Sequence, residues 1–495
     1  MYYDARAMDP SAPRRAIRQN IGLVAGPLLG GAVAWLVPSL HAVPGYGDRP
    51  ALAAAVTVLM ATWWLTEAVP IALTACVPLV AFPVLGVFGQ GFFGDLRASA
   101  APFLDSYVLL FFGGMTIGAA MEQWSLHRRV ALHIMRRVGA EPSRLLLGML
   151  ISTAFVSMWI SNTATAVMML PIAVALTREL ELTRGGKRLS ELGCALMLAV
   201  AYGANVGGIG TKIGTGTNSI FAGFVEQRGI ELGFLRYSLV ALPFVALFVP
   251  LVWLVLWKVA RADPVSSSAG RALIERELAG LGPLSRQERS VAGVFLAAAL
   301  LWIAGDLIRP LVAPLVSALS GGFKLLGKHY EAAVSLLAAA AVVAARLLSF
   351  SGLRRLPFAS LVLLGGSLAM AAGIEASGLS EWMGERLRVL ASLSLPLQLV
   401  LATFGTVFLS AVASNVATVN VVLNVLPGNL SVLFGAAIAA SCDFMLPAGT
   451  PPNAIVFGSG YVRLTTMMRV GFALDVLAAL LIPVYMLVYG RFVLP

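Results

Sequence analysis

Two short polar tripeptides interrupt long apolar runs. Ser161-Asn162-Thr163 lies inside 143–177, and Ser414-Asn415-Val416 lies inside 390–427. Hydroxyls, amides and the backbone N–H groups freed where a helix is interrupted can hold carboxylate oxygens without a buried fixed charge. Farther along each half, Gly207-Gly208 leads to Gly214-Thr215-Gly216-Thr217-Asn218, answered by Gly449-Thr450-Pro451-Pro452-Asn453. Gly and Pro at such points break helices. The released carbonyls suit Na⁺, and half-helix N-termini favour an anion. A Ser-Asn-Thr tripeptide alone is ordinarily a helix cap or a small-residue packing point. Its repetition, each time followed by Gly-Thr-x-x-Asn, points instead to a binding site. Two ionisable residues, Lys212 and Asp443, fall in the same region. Charge at membrane depth is costly and marks functional sites with a partner. Lys212 would supply the positive charge a coupling cation otherwise provides, with Asp443 as its counter-ion or as a proton carrier. The plainer alternative has Lys212 snorkelling to a boundary and Asp443 capping a helix end.

The elements that must carry these residues follow from composition. Of 495 residues, 59% are hydrophobic and only 12% charged, against roughly 25% in soluble domains. Mean hydropathy is +0.86. No water-soluble globule of this size can hide so much apolar surface, which excludes soluble, disordered and disulfide-scaffold classes. Cys76, Cys194 and Cys442 sit in apolar runs as small hydrophobes, and the four histidines show no metal spacing. The net charge of +11 reflects Arg-rich cytoplasmic loops and not a nucleic-acid partner.

A crossing helix needs about 20 apolar residues. Eleven stretches qualify: 20–38, 51–67, 70–88, 105–124, 192–224, 235–258, 289–311, 329–349, 357–378, 429–458 and 465–490. The two tripeptide-bearing stretches read as re-entrant helical hairpins, since non-helical backbone at membrane depth survives only where protein or a wet cavity satisfies it. The expected fold is an all-α polytopic membrane protein of about eleven transmembrane helices plus two re-entrant hairpins. With the N-terminus cytoplasmic and both hairpins re-entrant, most of the 35 Lys and Arg residues fall on the cytoplasmic side. The basic N-terminus lacks a convincing cleavage site, so 1–19 is expected as a retained cytoplasmic arm, and 259–288 as a cytoplasmic linker between halves.

The halves match in register. Gly113-Gly114 and Gly365-Gly366 stand 252 residues apart; Glu122 and Glu375, and Ser161-Asn162 and Ser414-Asn415, stand 253 apart; the Gly-Thr-x-x-Asn elements stand 235 apart. An odd number of crossings between equivalent landmarks makes the second copy inverted. Inverted repeats with interrupted helices at matching positions point to a secondary transporter with a midplane site.

Together these motifs resemble the divalent anion/sodium symporter family of dicarboxylate, citrate and sulfate transporters. The resemblance covers nearly the whole chain from about residue 50. It rests on Trp63-Trp64-Leu65-Thr66-Glu67-Ala68-Val69-Pro70, both Ser-Asn tips, Gly207-Gly208 through Asn218, and Leu281-Gly282-Pro283-Leu284-Ser285-Arg286. The longest stretch is Leu446-Pro447-Ala448-Gly449-Thr450-Pro451-Pro452-Asn453-Ala454-Ile455-Val456-Phe457-Gly458. The resemblance implies a homodimer working as an elevator. Its scaffold would be 20–142 (helices 1–4) and 289–389 (helices 7–9). Its moving domain would be 143–258 (hairpin, broken helix 5, helix 6) and 390–495 (hairpin, broken helix 10, helix 11). It also implies that Ser161, Asn162, Thr163, Ser414, Asn415 and Thr450 touch substrate carboxylates. One Na⁺ site would be Ser157, Ser161, Asn162 and Gly208; its counterpart would be Ser410, Ala413, Asn415 and Gly449. Five departures surround these sites. Val416 replaces the usual Thr, Asn205 a common Ser, Gly216-Thr217 a Pro pair, and Lys212 and Asp443 apolar or small residues.

The expectation is secondary transport of a small dianion, foremost a C4-dicarboxylate, in the plasma membrane. Sodium symport and sodium-independent exchange both stay open, with Na⁺ the candidate coupling ion and no other cofactor. Sulfate or another inorganic oxyanion is the alternative substrate. A membrane-embedded enzyme is disfavoured, because no Ser/His, paired-Asp or His-Glu-x-x-His constellation is visible, and no P-loop suggests an ATP-driven pump.

Overall fold

The computed structural model describes residues 12–183, 186, 189, 191–260, 267–426, 428–447 and 449–494. Residues 1–11 of the expected N-terminal arm lie outside them, and the rest of that arm is continuous with the helix Ala12–Leu36. The described residues are mostly helical, with no strand among them. In hydrocarbon each backbone N–H and C=O must be satisfied within its own segment, and the helix does this.

The apolar stretches become helices, and their breaks fall at Gly, Pro and small polar residues. The two tripeptide-bearing stretches split into Pro142–Ser157 with Asn162–Thr183, and Leu395–Val412 with Asn415–Val425. The stretch 192–224 splits into Glu191–Gly208 and Gly216–Gln227, and 429–458 into Leu430–Ala440 and Pro451–Phe457. Two further breaks were not foreseen. The stretch 70–88 is divided at Cys76 into Ile71–Ala75 and Val77–Leu85, where Pro78 has no N–H to continue the ladder. The stretch 289–311 ends at Ile303 and turns through 85° into Gly305–Leu319. Seven helices among the described residues are therefore long and apolar enough to cross a membrane, and that bent pair would make an eighth. Two of the seven, Asn162–Thr183 and Leu395–Val412, are arms of the expected hairpins.

By contacts the chain forms two compact units. The first is Met1–Asp105 with Phe358–Ser392; the second is Ser106–Pro357 with Leu393–Pro495. Within the first unit, Glu67 ends the helix Arg49–Thr66 in the left-handed region (φ 52°) and its carboxylate lies 3.4 Å from Arg18 Nη2. Gly366 meets the Ala75 backbone so closely that a Cβ would overlap it, and within the second unit Gly113 does the same against Ser335. The paired Gly-Gly landmarks are thus close-approach points.

Residues expected as polar loops in the second unit are also helical. Leu126–Val138 carries four arginines, and the supposed linker 259–288 contains the helix Ser267–Gly280. Arg128 pairs with Glu277 across these two helices. Arg129 grips the Leu281–Arg286 motif. Its guanidinium donates to the Leu281 and Gly282 carbonyls at 3.1 and 3.0 Å and bidentately to Glu288 at 2.8 and 3.2 Å. Glu288 completes a capping box with Ser285 at the start of Arg286–Ile303, just ahead of the apolar stretch beginning at 289. Burial opposes ionisation of Glu288, but Arg129 and the Ser285 donors outweigh it and hold the carboxyl below its ordinary range. A depressed folded-state pKa adds stability above the unfolded value of about 4.3, and that stability is lost as pH falls through the folded value. Thermal unfolding of the purified protein should therefore show stability falling as pH drops below the ordinary Glu range. Glu288→Gln should flatten that part of the profile.

Candidate functional site

Each hairpin tip is the start of a helix. Ser161 Oγ accepts the Ala164 N–H at 3.4 Å, and Ser414 Oγ accepts the Ala417 N–H at 3.2 Å. The caps leave neighbouring N–H groups and the positive end of each helix dipole at the tip, which favours an anion. Behind each tip the same oxygen cluster recurs. Ser157 Oγ lies 2.9 Å from Asn162 Oδ1 and 2.8 Å from the Ala204 carbonyl. Ser410 Oγ lies 3.0 Å from Asn415 Oδ1 and 2.7 Å from the Ala440 carbonyl. One hydroxyl proton can satisfy only one of its two acceptors at a time, so three oxygens converge behind each tip. That is a donor set for a hard monovalent cation. Gly208 borders the first cluster, where a Cβ would overlap the Asn162 side chain. Gly208→Ala should therefore lower both thermal stability and uptake, with an overpacking cost of about 1–3 kcal/mol. Thermal unfolding and initial rates on the same preparation would check it.

The broken helices repeat the symmetry. Asn218 Nδ2 donates to the Gly208 and Thr211 carbonyls, both at 2.7 Å. Asn453 Nδ2 donates to the Asp443 and Leu446 carbonyls at 3.2 and 3.0 Å. Donor and acceptors all keep the spacing of 235 residues read from the sequence. Thr215 and Thr450, which precede the second pieces, share nearly the same extended backbone (φ −144°, ψ 152° and φ −135°, ψ 149°). The halves are stitched together here. Thr450 Oγ1 donates to Asn205 Oδ1 at 3.3 Å, Asn205 Nδ2 donates to the Asp443 carbonyl at 3.1 Å, and Thr217 and Ser441 hydroxyls meet at 3.0 Å.

The expected residues are not all brought together. Ser157, Asn162 and Gly208 meet, as do Ser410 and Asn415, whereas Gly449 lies against the Asp443 carboxylate. Thr163 is exposed and Ala413 buried. A cavity of about 420 Å³ opens beside the first tip, lined by Ser161, Ala164, Glu122, Gln123, Ser349 and Arg355 among others. Ser161 is the one expected substrate contact among its lining residues.

A family model described as the sodium:sulfate symporter transmembrane region matches residues 24–494. The chain belongs to this sodium:sulfate symporter family, the divalent anion/sodium symporters. Curated members include the sodium-dependent dicarboxylate transporter SdcS of Staphylococcus saprophyticus, 35% identical over 490 residues covering 94% of this chain and 90% of that protein. The protein of the same name from Staphylococcus aureus strain USA300 is 35% identical over 487 residues with the same coverage. Among solved structures, the Alcanivorax borkumensis YdaH transporter, described as having an unusual topology, aligns with a TM-score of 0.55 at 13% identity. The alignment covers 86% of this chain and 99% of that one, a likeness of fold alone. The protein is thus a multi-pass, all-helical membrane transporter and not an enzyme.

Against the sodium:sulfate symporter pattern, the departing residues have distinct fates. Asn205 joins the stitching between broken helices, and Val416 lies 3.9 Å from where a Gly216 side chain would begin. Lys212 does not pair with Asp443, correcting the expected charge pair. Its Nζ lies 2.8 and 3.1 Å from the two carboxylate oxygens of Glu331, with the Tyr107 ring centroid at 5.4 Å. Lys212 is 1% exposed, so it does not snorkel either. Glu331 was missed by sequence reasoning, although a usable signal existed: it is an acidic residue inside the stretch 329–349, and a buried lysine needs an anion. Asp443 is fully buried, and neither carboxylate oxygen has a hydrogen-bond partner among the described residues.

Proposed function

We propose that this protein is a sodium-coupled symporter of C4-dicarboxylates or closely related small dianions in the plasma membrane. The observation that carries the reading is the pair of matched three-oxygen clusters behind the hairpin tips. Two hard-cation donor sets beside two helix N-termini suit the joint binding of Na⁺ and a dianion. The substrate class leans on the dicarboxylate transporters named above, which are 35% identical to this chain over the aligned residues. Ser161, Asn162 and Thr163 with Ser414, Asn415 and Thr450 would hold the carboxylates. Ser157, Ser161, Asn162 and Gly208 would form one Na⁺ site, and Ser410, Ala413, Asn415 and Gly449 the other.

Symport is favoured over sodium-independent exchange because the charge of Lys212 is already met by Glu331. A neutralised ammonium cannot stand in for a bound cation. The working cycle is read as an elevator in a homodimer of inverted repeats, with 143–258 and 390–495 sliding against 20–142 and 289–389, and the N-terminus cytoplasmic.

Radiolabelled succinate uptake into proteoliposomes tests the proposal. An inward Na⁺ gradient should drive accumulation into vesicles that hold no dicarboxylate. Uptake that ignores Na⁺ and needs internal dicarboxylate would replace symport by exchange. Sulfate uptake in place of succinate uptake would replace the substrate class.

A further inference from the structure

We propose that Asp443 is an anionic ligand for a coupling alkali cation at the second broken helix, giving that half of the protein a charged cation site which the first half lacks. The proposal deepens the sodium-coupling reading and rests on it.

The carboxylate is fully buried, with Oδ1 and Oδ2 both unpartnered among the described residues. Its main chain is occupied otherwise: Asn205 and Asn453 amides donate to its carbonyl at 3.1 and 3.2 Å. The next residue, Phe444, donates its N–H to Asp475 Oδ1 at 3.0 Å, while Asp475 Oδ2 is also buried without a partner. Three carboxylate oxygens around one short non-helical segment are thus shut away from water. Lys212, the charge expected to neutralise Asp443, is committed to Glu331.

The repeat shows what is new here. Asp443 occupies the position that Gly208 holds in the first half, since the equivalent asparagines bind the carbonyls of these two residues. Gly208 leaves room for Asn162. In the second half the side chain is instead directed at Gly449, where a Cβ would overlap Asp443 Oδ2. The missing side chain of Gly449 makes space for the carboxylate, which sits over the turn leading into Pro451-Pro452. A bare carboxylate in this environment is far more costly than a paired one. Carboxylate and carbonyl oxygens are the donors that hard cations select. A bound Na⁺ removes the penalty and gives the unpartnered oxygens their partner.

The test compares wild type with Asp443→Asn and with Asp443→Gly, the residue of the first half, each purified at full length. Two readouts are taken at constant ionic strength with choline as the replacement ion. One is Tm against Na⁺ concentration without substrate; the other is succinate uptake against Na⁺ in proteoliposomes. Na⁺ should raise the wild-type Tm, and both variants should lose much of that rise. Their half-saturating Na⁺ for uptake should increase at least about tenfold, as expected for a lost charged ligand. If wild type responds to Na⁺ and both variants respond identically, this assignment is overturned and sodium coupling stands. If the variants change the pH dependence of uptake but not its Na⁺ dependence, the carboxylate carries a proton and the assignment is also overturned. A wild-type protein indifferent to Na⁺ in both readouts overturns the assignment together with the sodium-coupling reading.

Discussion

Asn162→Ala and Asn415→Ala should each reduce the initial rate of succinate uptake by at least about 100-fold. Each amide would lose two partners at once. Its oxygen accepts from Ser157 or Ser410, in the cluster proposed to hold the cation, and under the same proposal its amide would also donate to a substrate carboxylate. Hydrogen bonds to charged groups are worth about 1.5–3 kcal/mol each. Losing two of them to substrate and cation corresponds to two or more decades in rate at limiting concentrations. The equivalence of the two clusters makes a further demand: the two substitutions should act alike, raising the half-saturating concentrations of both Na⁺ and succinate. Thermal stability without ligand should change far less than transport. A variant in which only one asparagine matters would mean that a single cluster is used.

The second large effect concerns stability. Lys212→Met or Glu331→Gln alone leaves the other member of a buried ion pair uncompensated, at a cost of about 3–5 kcal/mol. The Glu331 carboxylate also accepts the Phe234 N–H at 2.5 Å, and its carbonyl accepts Trp302 Nε1 at 3.2 Å, so both changes act on a packed junction of three helices. The double change Lys212→Met with Glu331→Met should recover most of the lost stability, because two apolar residues of similar volume leave no unpaired charge. Thermal unfolding of the three variants in detergent provides the measurement. The Na⁺ dependence of uptake should be unaltered in whichever variants fold. A changed ion dependence in the Lys212 variant would restore the idea that this lysine stands in for a cation.

The course of the helices was open to local reasoning. Ser161-Asn162, Ser414-Asn415 and the Gly-Thr-x-x-Asn elements interrupt apolar runs visibly, and the structure breaks its helices there. Local reasoning was weaker where an interruption carried no repeated motif. The breaks at Cys76 and Ala304 lie in mainly apolar stretches, beside Pro78 and Gly305-Asp306, and neither has a counterpart in the other half that would mark it. The helix Ser267–Gly280 was hidden for the opposite reason. Its polar surface reads as a loop, and it is held by pairs such as Arg128 with Glu277, 149 residues apart. Within the candidate site, Ser157 and Asn162 are five residues apart and Ser410 and Asn415 likewise, so a single short break between two helices brings each pair together. Arg129 gripping the Leu281–Arg286 motif was not legible, because nothing local ties an arginine to carbonyls more than 150 residues away.

The sequence by itself determined that this chain is a multi-helix membrane protein, and where its polar interruptions and recurring motifs fall. Apolar run length, Gly and Pro placement and the 235- and 253-residue spacings are properties of the chain alone. Only the tertiary structure decided which charges meet. Lys212 is joined to Glu331 across 119 positions, while Asp443 is left beside Gly449 with its oxygens unpartnered among the described residues. The reason is physical: in a low-dielectric interior an ion pair is worth having only at contact distance. Contact between distant segments is set by how helices pack, which no periodicity within one segment records.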